Sequence, residues 1–241
     1  MSRKQMKNRF TPEVNPVDYQ QYMPTKRRQV TLSPRNRSQQ EYLAKLQDES
    51  LSIVFAVGPA GTGKTMLAVQ NGIKLFQEGK IKKIIVTRPA VSADEDLGFL
   101  PGTLEEKMAP WTRPIFDVFS EYYQKRDIAR YIDEGIIEIS PLAYMRGRSF
   151  KNAYIVADEI QLATIAQVKM LLTRIGEGSK MVVTGDLAQA DRGANNGLYD
   201  FIRKIELMPY LNHIDIAYFG HADIERHAAV REVLKIYGED Q

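Results

Sequence analysis

A glycine-rich stretch, GPAGTGKT at 58–65, holds the residues best suited to chemistry in this chain. It matches the pattern G-x-x-x-x-G-K-[ST] and lies between an apolar segment and a helix-forming segment, TMLAVQNGIKLF. Glycine permits backbone angles that a side chain would forbid, so successive N–H groups can point inward and surround phosphate oxygens. The positive end of the following helix would add to the same site. The stretch therefore predicts a phosphate-binding loop, and a chance glycine turn is the weaker alternative.

Two side chains at the end of this loop extend the prediction. Lys64 is expected to reach the β- and γ-phosphates of a nucleoside triphosphate, and Thr65 to offer its hydroxyl to a magnesium ion. ATP and Mg²⁺ are therefore the expected cofactors, with Lys64 in the catalytic set and Thr65 among the metal ligands.

An acidic pair follows a second apolar segment, YIVA at 154–157. Open α/β sheets place their sites at the carboxyl ends of strands, where Asp158 and Glu159 would stand. Asp158 is expected to hold magnesium, directly or through water, and Glu159 to polarise the attacking water as a general base. Acidic residues are also favoured at the start of a helix, so the pair alone would be weak support. Its position after a buried strand, in a chain with a phosphate loop, favours the catalytic interpretation.

A third polar turn ends the apolar run in MVVTGDLAQAD at 181–191. Its glutamine, Gln189, is placed to contact the γ-phosphate and to orient the lytic water. A tight turn with a surface amide would give the same pattern, and only the other two motifs favour a catalytic role.

These residues need a scaffold that brings strand ends together, and the rest of the sequence supplies one. Six short, mostly apolar segments alternate with helix-forming stretches, at 52–57, 83–87, 136–140, 153–157, 181–185 and 214–219. Several are apolar throughout, which is typical of strands covered on both faces. The predicted fold is therefore α/β, a doubly wound, mainly parallel sheet with helices on both faces, of the P-loop NTPase (RecA/helicase-like) class.

Two regions lie outside this alternation. Residues 1–34 show no clear periodicity and predict a basic, partly extended N-terminal arm, followed by one domain over 35–241. That domain is expected to begin with a helix for which Ser38 is the N-cap candidate. A segment at about 92–135 does not fit a single crossover helix, because Pro101, Pro110 and Pro114 are expected to break it up, and it predicts an inserted subdomain.

The net charge of +3 conceals an asymmetry along the chain. Residues 1–38 carry nine basic and two acidic side chains, whereas the remainder carries 24 basic and 28 acidic ones. A basic arm of this kind can contact nucleic acid phosphates, and a solvated, partly disordered tail is an equally good interpretation.

Composition excludes several classes of protein. The chain has no cysteine, and so has no disulfide framework, cysteine zinc site or thiol nucleophile. No apolar run approaches the length of a membrane helix, and the N-terminus lacks the apolar core of a signal peptide. We therefore expect a soluble, cytoplasmic protein with no membrane partner.

The co-occurrence of these motifs in this order resembles the PhoH family, whose ATPase domain is similar to the core of superfamily 1 RNA and DNA helicases. The resemblance covers roughly residues 34–238. The segments that carry it are GPAGTGKTMLA (58–68), TRPAV (87–91), LGFLPGTLEEKMAPW (97–111), RGRSF (146–150), VADEIQ (156–161), LLTRIGEGSKMVVTGDLAQAD (171–191) and FGHADIERHAAV (219–230). Two positions depart from the common acidic motif, since Ile160 replaces alanine and Leu162 replaces asparagine.

The resemblance implies a set of nucleotide contacts. The expected cofactor-binding residues are Gly58, Pro59, Ala60, Gly61, Thr62, Gly63, Lys64, Thr65 and Met66, together with Gln39. Gln39 lies three residues before Tyr42, the family spacing, and is expected to read the adenine edge through its amide. Its neighbour Gln40 and a plain surface amide remain open alternatives.

Arginines complete the expected site. Hydrolysis is helped by a positive charge on the γ-phosphate in the transition state, often an arginine from the same or an adjacent subunit. Similarity to helicase-like folds ranks Arg226 first for this catalytic role, and Arg174, on a predicted helix between the acidic and glutamine motifs that could face a neighbour, ranks second. Arg88, Arg146 and Arg148 lie in loops that would contact nucleic acid, because arginine fits phosphate with two hydrogen bonds. Surface salt bridges, or inter-subunit contacts for the loop arginines, are the alternatives.

The resemblance implies an ATP-hydrolysing, helicase-like protein that acts on RNA or single-stranded DNA. A chain with one such domain needs a second face for the nucleotide, which predicts a homo-oligomer, by analogy a ring of about six copies. The alternative is a nucleotide-dependent binding switch for a protein partner. A small-molecule kinase fits less well, because the acidic pair and the glutamine turn suit water activation.

Overall fold

The computed structural model describes residues 28–89, 104–189 and 195–225, together with 229, 233 and 236. Residues 1–27 of the predicted arm lie outside these ranges, as do residues 92–103 of the predicted insertion and Arg226. Every other candidate site residue lies inside them.

One sheet organises the described ranges. Its strands are β1 (Ile53–Val57), β2 (Lys83–Thr87), β3 (Ile137–Ile139), β4 (Ala153–Ala157), β5 (Lys180–Gly185) and β6 (Ile214–Tyr218). The six are all parallel and lie in the order β3-β2-β4-β5-β1-β6. Each lies at a predicted position, with ends that differ by at most one residue. The predicted α/β class, with a parallel, doubly wound sheet, is confirmed.

Helices cover both faces of this sheet. They are α1 (Arg37–Gln47), α2 (Lys64–Gln77), α3 (Leu104–Tyr122), α4 (Lys125–Asp133), α5 (Ile165–Leu172) and α6 (Gly197–Glu206). The first four pack on one face and the last two on the other. None of the helices in the described ranges has both the length and the apolar character that crossing a membrane requires.

Burial on both faces explains why the central strands are apolar throughout. In β4, Tyr154 and Val156 belong to the apolar cluster under α2, whereas Ile155 and Ala157 belong to the cluster under α5. Successive side chains of a strand point to opposite faces, so a strand between two helical layers needs apolar residues at every position.

The strand register brings the functional loops to one edge. Val57 at the end of β1 lies opposite Gly185 of β5 and Tyr218 of β6. Thr87 at the end of β2 lies opposite Ala157 of β4. The segments that follow these strands therefore all begin at the carboxyl edge of the sheet.

Two local predictions are wrong. Pro110 and Pro114 do not break the chain, because α3 runs through both of them. Pro114 is exposed, whereas Ile115 and Phe119 are buried, so the packed apolar face of the helix outweighs the lost hydrogen bonds. The second error concerns α1, whose N-cap is Asn36 and not Ser38.

Asn36 begins α1 because its side chain accepts a hydrogen bond from the backbone N–H of Gln39, at 2.9 Å. Asparagine and serine are both good N-caps, and Ser38 lies within the first turn of the helix that Asn36 begins. The chain path before the helix decides between them.

A glycine in α2 marks the closest approach between this helix and the sheet. A Cβ at Gly72 would lie 2.7 Å from Cδ1 of Tyr154, a ring that is fully buried. The Tyr154 hydroxyl is held by Asn71 Nδ2 at 3.2 Å, so the ring is not free to move aside. Burial raises the pKa of Tyr154 far above its ordinary value, which keeps the hydroxyl neutral.

This contact predicts the sign of one substitution. Helix propensity alone would make Gly72→Ala stabilising by about 1 kcal/mol. We expect instead a loss of about 1–3 kcal/mol in the free energy of unfolding, measured by urea denaturation, because the new methyl group meets the ring. In a Tyr154→Leu background, which removes the ring, the same substitution should become neutral or stabilising. An equal loss in both backgrounds would contradict the explanation.

Candidate active site

The glycine-rich loop connects β1 to α2 at the carboxyl edge of the sheet. Gly61 and Gly63 have φ angles of 82° and 83°, in the left-handed region that glycine adopts readily. Helix α2 begins at Lys64, so its N-terminus faces the loop. The loop, together with residues that follow β4 and β5, lines a cavity of about 260 Å³.

The segment after β6 supports this loop from one side. The N–H of Phe219 donates to the Val57 carbonyl at 2.8 Å, and that of Glu225 donates to the Gly61 carbonyl at 3.0 Å. Gly58 makes the approach possible, since a Cβ there would lie 2.3 Å from the carbonyl oxygen of Phe219. The first glycine of the motif is therefore required by a neighbouring segment of the chain.

Helix α1 supports the loop from the other side, through Gln39. Its Nε2 donates to the Thr62 carbonyl at 3.0 Å, and its Oε1 accepts from the Arg35 N–H at 2.9 Å. Gln39 is 1% exposed, whereas Gln40 is exposed to solvent. The structure thus places Gln39 beside the loop, and its contact with adenine stays a prediction.

Lys64 folds back over the loop that precedes it. Its Nζ donates to the carbonyls of Gly58 and Pro59 at 2.7 and 2.6 Å and lies 3.3 Å from the Thr62 hydroxyl. Burial lowers the pKa of Lys64 from its ordinary value, and the carboxylates of the site oppose that shift. The ammonium therefore lies at the mouth of the loop with carbonyl and hydroxyl partners.

Asp158 is the polar centre of the site. Its Oδ1 accepts hydrogen bonds from the hydroxyls of Thr65 and Thr184, both at 2.6 Å. Arg88 Nη1 lies 4.0 Å from Oδ2, and the side chains of Arg88 and Asp158 are 18% and 8% exposed. These contacts join the loop, β2, β4 and β5 at one carboxylate.

The donor set suits magnesium. A threonine hydroxyl and a carboxylate are hard oxygen ligands, and Mg²⁺ typically takes one or two carboxylates, water and substrate phosphates. Across the described ranges, no three or more His, Cys, Asp or Glu side chains are grouped to hold a metal by themselves. Thr65 and Asp158 therefore fit an ion that shares its ligands with a phosphate chain.

Glu159 and Gln189 lie at the same edge and are connected through other residues. Glu159 follows β4 with φ of 55°, and its Oε2 accepts a hydrogen bond from Gln161 Nε2. Gln161 Oε1 in turn accepts from the N–H of Asp186 at 3.2 Å. Gln189 Nε2 donates to Asp186 Oδ2 at 2.8 Å.

Sequence analysis missed two residues of this arrangement, Thr184 and Gln161. A weak signal existed for each. Thr184 is the single hydroxyl at the end of an otherwise apolar strand, and Gln161 lies two residues after the predicted base. Neither signal revealed the long-range partner, because Thr184 belongs to β5 and contacts Asp158 after β4, and Gln161 contacts Asp186 after β5.

The catalytic arginine candidates are placed differently. Arg174 uses its guanidinium locally, with Nε to the Met170 carbonyl at 3.1 Å, Nη1 to the Arg148 carbonyl at 3.2 Å and Nη2 to the Thr173 hydroxyl at 2.9 Å. A role at a neighbouring subunit would require Arg174 to leave these contacts. Arg226, the first-ranked candidate, lies outside the described residues.

The loop arginines also differ from one another. Arg148 binds Glu138 through both terminal nitrogens, one of them at 2.9 Å, and stacks 4.6 Å from the Phe150 ring centre. Arg146 is exposed. Arg88 faces Asp158 and is largely buried, which places it at the candidate site and not on the surface. Nucleic acid contact stays a prediction for all three arginines.

Comparison with known proteins places the chain among close relatives. A family model described as PhoH-like protein matches residues 31–238. A PhoH-like protein of Bacillus subtilis is 46% identical over 201 residues, which cover 83% of this chain and 61% of the relative. One of Mycobacterium tuberculosis is 43% identical over 213 residues, with coverages of 88% and 59%. Protein PhoH of Escherichia coli is 41% identical over 213 residues, with coverages of 84% and 57%.

The chain therefore spans about three fifths of the length of the relatives that it matches. Their similarity concerns this shared portion. What the longer proteins do as wholes is not carried over to this chain by the match.

Glu138 and the two cations that bind it, Arg148 and Lys83, form a cluster (the Glu138 cluster) that predicts how stability depends on pH. Burial raises the pKa of Glu138, but hydrogen bonds from Arg148 and Lys83 outweigh burial and hold it below the ordinary value. A carboxylate of this kind contributes stability above its unfolded pKa and loses that contribution as pH falls through its folded pKa. We expect the free energy of unfolding to fall more between about pH 5 and pH 3 in the wild type than in Glu138→Gln. Urea denaturation across this range measures the effect.

The control for that measurement is Glu177→Gln, at an exposed glutamate of the loop before β5. It should follow the wild-type pH dependence. Superposition of the Glu138→Gln and wild-type curves would show that the cluster contributes nothing to acid sensitivity.

Proposed function

The chain belongs to the PhoH-like protein family, and we propose that it binds ATP with magnesium at the Gly58–Thr65 loop and hydrolyses it. One observation carries the proposal. Two segments far apart in the chain meet at one edge of the sheet: the loop that ends in Lys64 and Thr65, and the end of β4 with Asp158 and Glu159. This is the arrangement that phosphoryl transfer to water needs.

Binding would use groups that already face the cavity. Backbone N–H groups of the loop and the N-terminus of α2 would hold the phosphate oxygens. The Lys64 ammonium would exchange its carbonyl partners for the β- and γ-phosphates, because its attraction to a negatively charged phosphate oxygen is stronger than to a neutral carbonyl oxygen. Gln39 would have to exchange one of its backbone contacts, to Thr62 or to Arg35, in order to read the adenine edge.

Thr65 and Asp158 would hold the magnesium ion. When bound, the ion neutralises charge on the phosphate oxygens during transfer. The Thr184 hydroxyl keeps a hydrogen bond on the Asp158 carboxylate, so that the carboxylate stays oriented when the Thr65 hydroxyl turns to a new partner.

Glu159 would take the proton of the attacking water, and Gln189 would orient that water against the γ-phosphate. Both side chains lie at the carboxyl edge of the sheet, after β4 and β5 respectively. An arginine, Arg226 or Arg174, would stabilise charge on the γ-phosphate in the transition state.

We further propose that the protein works as a homo-oligomer, a ring of about six copies by analogy with other P-loop rings. A neighbouring copy would supply the second face of the nucleotide site. RNA or single-stranded DNA is the proposed polynucleotide, with Arg146 as the exposed loop arginine for phosphate contact. The proposed location is the cytoplasm.

The second candidate function is a nucleotide-dependent switch that binds a protein partner. The network from Asp158 to the segment after β5 could change with the bound nucleotide without driving any motor. Sensitivity of ATP turnover to RNA separates the two candidates.

Two substitutions test the assignment of binding and chemistry. Lys64→Ala should abolish binding of a fluorescent ATP analogue, because it removes the phosphate cation. Glu159→Gln should keep the dissociation constant within about threefold and lower kcat by about 10²–10⁴-fold, measured by phosphate release, because it removes the base. Glu134→Gln, at an exposed glutamate before β3, should leave both quantities unchanged. An active Glu159→Gln variant would refute the base assignment.

A second experiment tests the polynucleotide and the oligomer. RNA or single-stranded DNA should stimulate ATP turnover several-fold, and the stimulation should fall as salt is raised. Arg146→Gln should reduce the stimulation and leave the basal rate unchanged, whereas Arg113→Gln, at an exposed position of α3, should alter neither. Turnover of ATP that does not respond to RNA would favour the switch.

A protein that stays monomeric at micromolar concentration with ATP, and still turns over at full rate, would refute the proposed oligomer.

A further inference from the structure

Gln161 is a buried amide that the proposed chemistry does not use directly. It lies in the short helical turn Ile160–Leu162 after β4 and is 1% exposed. Its Nε2 donates to the carboxylate of Glu159, and its Oε1 accepts from the N–H of Asp186 at 3.2 Å. One side chain thus connects the proposed base with the turn that follows β5.

Close neighbours fix Gln161 in this position. Its main-chain carbonyl accepts from Asn196 Nδ2 at 2.8 Å, and Asn196 is itself 2% exposed. The absence of a side chain at Gly185 leaves room for the amide, because a Cβ there would lie 2.9 Å from Gln161 Oε1. The amide is therefore buried where the Ile160–Leu162 turn packs against β5 and α6.

Glu159 needs support of this kind. Its φ of 55° lies in the left-handed region, which residues other than glycine seldom adopt. Such a conformation persists when surrounding contacts hold it, and functional sites are where it is commonly found. The hydrogen bond from Gln161 is the side-chain contact that the structure gives to the Glu159 carboxylate.

The contacts continue from Asp186 to Gln189, which lies in the same turn after β5. Asp186 Oδ1 accepts from the Ala188 N–H at 2.9 Å, and its Oδ2 accepts from Gln189 Nε2 at 2.8 Å. The path from Glu159 to Gln189 therefore consists of side chains and one backbone N–H, each in direct contact with the next.

We propose that Gln161 is a positioning residue that sets the orientation of the Glu159 carboxylate relative to the Asp186–Gln189 turn. This inference rests on the proposed ATP hydrolysis. An amide suits the role because it carries a donor for the carboxylate and an acceptor for the backbone N–H on one planar group. A methionine offers neither at comparable strength, and an ionised glutamate offers acceptors only and repels the Glu159 carboxylate.

Two substitutions at Gln161 therefore test its contact with Glu159 and its contact with Asp186 separately. Gln161→Met removes both contacts, whereas Gln161→Glu keeps an acceptor for Asp186 and loses the donor to Glu159. Both variants should lower kcat by about 10- to 100-fold and leave the dissociation constant for ATP within about threefold, because misplacement of a base slows chemistry without removing the phosphate contacts. Hydrogen exchange at the Asp186 amide should quicken about tenfold in Gln161→Met and stay slow in Gln161→Glu.

The matched control is Gln167→Met, which loses a capping-box contact to Thr164 at the start of α5 and touches neither loop. It should lower the melting temperature with kcat and Asp186 exchange unchanged. If the Gln161 variants lose no more kcat than this control while the wild type hydrolyses ATP, the positioning role is overturned and the proposed function stands. A wild type that does not hydrolyse ATP overturns both, and unchanged Asp186 exchange in Gln161→Met overturns the bridge itself.

Discussion

The buried carboxylate of Asp158 is the interaction on which the candidate site depends. A charge this little exposed is costly unless hydrogen bonds or opposite charges surround it. Here the hydroxyls of Thr65 and Thr184 and the guanidinium of Arg88 provide that environment. Because these partners follow or belong to different strands, satisfying one carboxylate fixes the relative positions of the loop, β2, β4 and β5.

The glycine-rich loop is held from behind by segments far from it in the sequence. Gln39 contacts it from α1, and Phe219 and Glu225 contact it after β6. The two supports also touch each other, since Asn36 Nδ2 lies 3.4 Å from the Asp223 carbonyl. The loop therefore takes its shape from its glycines and from both ends of the described fold, and substitutions in either support can alter the cavity without touching it.

Local patterns predicted some features well and others poorly, for identifiable reasons. The strands were predictable because burial on both faces leaves a continuous apolar run in the sequence. Pro110 and Pro114 misled because helix propensity describes an isolated segment, whereas the buried residues of α3 stabilise it through the core. The pairing of Arg148 with Glu138 was not predictable from the sequence, because nothing in a local pattern reveals that the two side chains lie across from each other.

The sequence by itself determined the phosphate loop, the acidic pair and the strands that present them, because spacing, glycine content and apolar periodicity are properties of short segments. Only the tertiary structure decided that Gln39 supports the loop, that Thr184 and Arg88 face Asp158, and that Gln161 bridges two loops. The long-range contacts among these join residues between 23 and 70 positions apart, which the strand order brings together. Which distant side chains meet follows from the order and register of parallel strands, and no local pattern encodes that order.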